Sequence, residues 1–128
     1  MKSDIKSEKT TEDYLEAMLM IQKKNGYVRS IDVAQHLGVT KPSVTYTTKR
    51  LKEKGYIIMD KDNFIIITDS GMRIAEKILN RHNTLTDFFV SIGVPEEIAK
   101  EDACLIEHDI SPETFDALVS YIKKNEEK

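Results

Sequence analysis

Between Ser30 and Thr68 the hydrophobic period changes from helical to extended, with a turn signal at each change. No other stretch constrains the fold as tightly. Ser30 to Leu37 fits a short helix with Ser30 as N-cap and Ile31, Val33, Ala34 and Leu37 pointing inward. Gly38 ends it. A further helix opens at Thr40 or Lys41, with Pro42 in the first turn, where its missing N–H costs nothing. Val44, Thr48 and Leu51 form its apolar seam, and Gly55 terminates it. Two short helices joined at Leu37-Gly38-Val39 have the spacing of a helix-turn-helix. Tyr56-Ile57-Ile58-Met59 and Phe64-Ile65-Ile66-Ile67-Thr68 then read as strands around the polar turn Asp60-Lys61-Asp62-Asn63. A hairpin directly after a helix-turn-helix is a wing.

The flanks are helical. Residues 1–9 are polar and expected to fray, and a helix is predicted from Thr10 or Thr11 to Asn25-Gly26. Thr68-Asp69-Ser70-Gly71 starts a long helix that ends at Gly93. Glu96 to about Asp109 is another, and Ser111-Pro112 opens a last one running to about Lys124. The expected architecture is therefore mainly α: a winged helix-turn-helix with a two-stranded wing over residues 1–70, and an all-helical domain over 71–128. The second part carries more large apolar side chains than so few helices bury easily. Leu85, Phe88, Phe89 and Ile92 suit a homodimer face, or else pack on the module's first helix.

The net charge of −3 argues against a polybasic nucleic-acid binder when taken over the whole chain. Its distribution says otherwise. From Lys41 to Gly55 there are five basic residues and one acidic, so this segment is +4 and the remainder −7. The positive charge lies on the second helix of the helix-turn-helix, the element that enters a major groove. Thr40, Lys41, Pro42, Ser43, Thr45 and Tyr46 stand off its seam near the start and suit base edges, while Lys49 and Arg50 suit phosphates. The wing tip has one Lys61 against Asp60 and Asp62 and should add little. A solvated lysine-rich helix is the plainer alternative for such a run. The single cysteine excludes an intrachain disulfide and favours a reducing, cytoplasmic location. The apolar runs are too short to span a membrane.

Possible metal ligands lie away from this basic helix. Cys104, Glu107 and His108 are spaced i, i+3, i+4 on one predicted helix, Asp13 and Glu16 are i, i+3 on the first, and His82 is on the long helix. One thiolate, two imidazoles and several carboxylates suit a first-row divalent transition metal. Each fragment also has a plain reading: a small buried thiol, a solvated acidic face, a surface histidine beside Arg81. No nucleophile elbow, phosphate loop or His-Glu-x-x-His element is present, so neither an enzyme nor a small-molecule substrate is expected.

Taken together, Thr11-Glu12-Asp13-Tyr14-Leu15-Glu16, Val39-Thr40-Lys41-Pro42-Ser43-Val44-Thr45, Arg81-His82 and Ala103-Cys104-Leu105-Ile106-Glu107-His108 resemble the metal-dependent repressors related to the diphtheria toxin repressor and the manganese transport regulator. The resemblance runs from about Thr10 to Lys124 with the motifs in the same order. It matches the shorter, two-domain form, without the third, SH3-like domain of the iron type. It implies that Asp13, Glu16, His82, Cys104, Glu107 and His108 hold a metal between the winged helix and the dimerisation domain. It also implies that a metal-loaded homodimer represses genes of metal-ion homeostasis from a palindromic double-stranded DNA operator. Two positions depart from the subfamilies. Asp13 matches the manganese type where the iron type has methionine, and Cys104 matches the iron type where the manganese type has glutamate. A thiolate favours Fe(II), Co(II) or Zn(II), and the carboxylates pull toward Mn(II). Fe(II) or Mn(II) is the expected effector, with Co(II) or Zn(II) as substitutes. The alternative from the residues alone is a metal-independent winged-helix regulator sensing a small organic ligand.

Overall fold

The computed structural model describes residues 2–126, of which 2–7 are described by backbone alone. Its elements are α1 (Lys2–Asn25), α2 (Ser30–Leu37), α3 (Lys41–Glu53), β1 (Ile57–Met59), β2 (Ile65–Ile67), α4 (Asp69–Ser91), α5 (Glu96–Ile106) and α6 (Pro112–Glu126). The chain divides into two compact units, one ending at Lys77 and the other beginning at Ile78.

In the first unit α1 packs on α2, α2 on α3, α3 on β1 and α1 on β2. The core is drawn from α1, the link after it, α2, α3 and β1: Leu15, Met18, Val28, Val33, Val44, Leu51 and Ile57 are each almost completely buried. The seam predicted for α3 is the buried one, Val44, Thr48 and Leu51. Thr40 caps that helix by accepting a hydrogen bond from the Ser43 backbone N–H at 3.2 Å, as its short hydroxyl side chain allows. Between α2 and α3, Gly38 adopts φ +67°, a left-handed conformation that favours glycine and lets the chain turn sharply. The wing is an antiparallel pair with Ile57 opposite Ile67 and Met59 opposite Ile65. Ile57 and Ile67 face the core, and Ile58 and Ile66 face out, as a period of two requires. At its tip the Asp60 carboxylate accepts hydrogen bonds from the N–H groups of Asp62 and Phe64, so this acid shapes the turn.

Three boundaries differ from expectation. Helix α1 begins at Lys2, with Thr10 and Thr11 well inside it, because the residues before them include no glycine or proline to stop a helix. The N-cap of α2 is Arg29 rather than Ser30, and the Asp32 carboxylate accepts from the Arg29 backbone N–H at 3.1 Å. Ile31, read as inward, is exposed. Helix α5 ends at Ile106, short of Asp109, because Asp109 and Ile110 both turn back to donate to the Ile106 carbonyl.

The start of α4 is anchored to the end of α3. The Thr68 hydroxyl donates to the Gly55 carbonyl at 2.6 Å, and the Ser70 hydroxyl donates to the same oxygen at 3.0 Å. Gly71 packs so closely that a β-carbon there would lie 2.1 Å from the Tyr56 carbonyl oxygen. In the second unit Leu85 of α4, Ala103 of α5 and Phe115 of α6 form the core, with Phe89, Ile110, Leu118 and Val119 against it.

Candidate metal centre and nucleic-acid interface

On α3 and its N-cap, all eight residues read as facing nucleic acid are exposed: Thr40, Lys41, Pro42, Ser43, Thr45, Tyr46, Lys49 and Arg50. The buried seam turns the rest of the helix outward, so this exposure follows from packing. Tyr46 is 64% exposed. Arg50, one turn on, sets its guanidinium carbon 5.7 Å from the Tyr46 ring centroid and its Nη1 3.5 Å from the hydroxyl. The Thr40 and Thr45 hydroxyls are also engaged within the helix, Thr40 with Ser43 and Thr45 as a donor to the Lys41 carbonyl.

In the second unit three of the expected ligands converge. The Glu107 side chain is wholly buried, and its Oε2 lies 2.8 Å from Nδ1 of His82. Its other oxygen, Oε1, is 3.4 Å from Nε2 of the buried His108. Among the described residues, Oε1 of Glu107 accepts no hydrogen bond. A carboxylate removed from water carries a large desolvation cost unless compensated, and this carboxylate with an imidazole beside each oxygen presents the donor types that suit a divalent transition metal. His82 would contribute from α4, with Glu107 and His108 from the turn after α5.

The other expected ligands lie on α5 and α1. Cys104 is on α5 and exposed, one turn before the buried Glu107. Asp13 and Glu16 lie on α1 of the first unit, Asp13 half-buried and Glu16 buried. His36, on α2, is exposed.

One placement corrects the sequence reading. Leu85 is 1% exposed in the second unit's own core, so it is not on a face open to a partner. Phe89 packs against that core, whereas Phe88 and Ile92 line a groove of about 520 Å³ with Val119, Tyr121 and Ile122 of α6. Arg81, the neighbour of His82, is buried. Its Nη1 donates to the carbonyls of Glu107 and Ile110, each at 3.1 Å. Nothing local in the sequence marks that contact, since its partners are backbone groups more than twenty residues away.

Two family models divide the chain between them. Residues 7–64 match the N-terminal DNA-binding domain of iron-dependent repressors, and residues 68–128 match their metal-binding and dimerisation domain. The chain belongs to the iron-dependent repressor family. Among its relatives are the transcriptional regulator MntR of Salmonella typhimurium, 33% identical over 114 residues (89% of this chain and 73% of that protein), and MntR of Bacillus pumilus, 34% identical over 120 residues (91% and 83%). The crystal structure of IdeR from T. acidophilum superposes with a TM-score of 0.78 at 26% identity, covering 88% of this repressor and 53% of that chain. The repressor thus spans about half the length of that structural relative. These families and relatives are transcriptional regulators, not enzymes, and the repressor's class is that of a metal-dependent DNA-binding regulator. Among the described residues no helix is long and apolar enough to cross a membrane.

Proposed function

We propose that this repressor controls metal-ion homeostasis by binding a palindromic operator as a homodimer when loaded with Fe(II) or Mn(II). The single observation that carries this reading is the buried Glu107 carboxylate between His82 and His108, in the half matched to the metal-binding domain. It is joined in one chain to an exposed basic recognition helix.

The proposed ligand set is His82, Glu107 and His108, with Cys104, Asp13 and Glu16 completing it on the strength of the family motifs. The metal supplies a fixed positive centre that holds several acidic and imidazole groups at once. The chain's own residues provide the selectivity. Carboxylates and imidazoles accommodate Mn(II) and Fe(II), and Cys104 shifts preference toward Fe(II). On α3, Lys49 and Arg50 take backbone phosphates, and Thr40, Lys41, Pro42, Ser43, Thr45 and Tyr46 face base edges. The groove lined by Phe88 and Ile92 is the proposed dimer contact. In a dimer, two recognition helices must stand about 34 Å apart to enter successive major grooves. A metal held by these residues would favour the state with that spacing. The proposed location is the cytoplasm, whose reducing conditions keep the Cys104 thiol available.

The test is fluorescence anisotropy with a palindromic duplex from the gene's own upstream region. Mn(II) should produce binding and EDTA should reverse it. Binding indifferent to the chelator would favour a metal-independent regulator instead.

A further inference from the structure

Glu107 is gripped at both ends from one turn of α4. His82 holds its carboxylate at 2.8 Å, and the preceding residue, Arg81, holds its backbone carbonyl at 3.1 Å. The same Arg81 nitrogen donates to the carbonyl of Ile110, 3.1 Å away, on the far side of the turn that carries His108. The guanidinium carbon lies 5.3 Å from the centroid of Phe115, the aromatic residue in the core of this unit. At 8% exposure, Arg81 is a buried cation spent on two backbone oxygens.

The chemistry explains why an arginine suits this place. Helix α5 ends at Ile106, and carbonyls at a helix C-terminus lack donors within the helix and attract positive charge. The turn after α5 leaves the Glu107 and Ile110 carbonyls facing α4, where Arg81 satisfies both. A planar guanidinium can pack flat on a ring while directing its N–H groups sideways; an ammonium cannot do both.

We infer that Arg81 is a positioning residue for the metal centre: by holding the turn from Glu107 to Ile110 against α4, it sets where Glu107 and His108 stand relative to His82. The inference rests on the reading of those three side chains as ligands. Metal–ligand distances tolerate only about ±0.2 Å, so slack in this turn reaches the metal directly. Loss of partners behind the ligands ordinarily costs about 10–100-fold in metal affinity.

The test uses the full chain and Mn(II) alone, with bound and unbound metal separated by electron paramagnetic resonance. Arg81→Met should weaken Mn(II) binding by about 10–100-fold, and Arg81→Lys by less. Leu118→Ala, which loosens the core while leaving both Arg81 hydrogen-bond partners in place, should bind as the parent does. A second readout needs no metal: the imidazole ¹H–¹⁵N signals of His82 should shift in Arg81→Met and stay in place in Leu118→Ala. Unchanged Mn(II) affinity and His82 signals in Arg81→Met, with binding lost in His82→Ala, would overturn the inference alone. Unchanged affinity in His82→Ala would overturn the ligand reading beneath it. If Arg81→Met does not fold, Arg81→Lys takes its place, and parental affinity in that variant overturns the inference.

Discussion

Removing the two charges at Lys49 and Arg50 gives a quantitative check on which surface meets DNA. Both side chains are exposed on α3, away from the buried seam of Val44, Thr48 and Leu51. Their replacement by glutamine should therefore leave stability within about 0.5 kcal/mol. A homodimer loses four positive charges. Each phosphate contact contributes about −0.9 to the slope of log K against log salt, so four lost contacts flatten it by about 3.6. Between about 50 and 200 mM salt, the fall in affinity should then be smaller in the variant by a factor of about 150. The assay is anisotropy at several salt concentrations with saturating Mn(II) and a duplex selected from a random pool by the parent protein. Circular dichroism confirms that the variant is folded. If the slope is unaltered in a folded, Mn(II)-saturated variant, another surface meets the phosphates and the assignment of α3 residues fails.

Gly71→Ala should destabilise the protein by about 1–3 kcal/mol in chemical denaturation, since the added carbon would overlap the Tyr56 carbonyl, 2.1 Å away, and α4 must shift. Leu85→Ala should cost about 2–5 kcal/mol through a cavity in the core of the second unit. Phe88→Ala with Ile92→Ala should instead shift sedimentation toward the monomer with less loss of stability. Cys104→Ser should lower Fe(II) and Co(II) affinity more than Mn(II) affinity, and flatten the decline at acid pH, because a thiol must lose its proton to bind metal. Competition titrations across pH would read both effects, and unchanged selectivity would remove Cys104 from the ligand set.

The recognition helix was the most legible part of the chain. Thr40, Pro42 and Gly55 mark its ends, and Val44, Thr48 and Leu51 mark its inner face, so local signals and tertiary packing agree. The wing was legible for the same reason, through two β-rich runs and a polar turn. At α1 the local signal misled: Thr10 and Thr11 are good caps, but a cap acts only where the preceding residues leave the helix. At the end of α5, the spacing of Cys104, Glu107 and His108 suggested one continuous helical face. The chain instead turns after Ile106, burying Glu107 and His108 while Cys104 stays exposed. Leu85 looked like a candidate for a partner because hydrophobicity alone does not say which surface buries a residue. Arg81 had no signature at all. Its role depends on carbonyls brought to it by the turn between α5 and α6.

The central claim is that metal and operator favour the same state of one repressor. Equilibrium linkage makes that measurable: the factor by which Mn(II) tightens operator binding must equal the factor by which operator tightens Mn(II) binding. The direct measurement is therefore the Mn(II) dissociation constant of the repressor with and without saturating operator duplex. The account predicts tighter Mn(II) binding on the operator, by about 5–150-fold for a coupling of ordinary size. Equal Mn(II) affinity in the two titrations would mean that the ion does not select the DNA-binding state, and would contradict it.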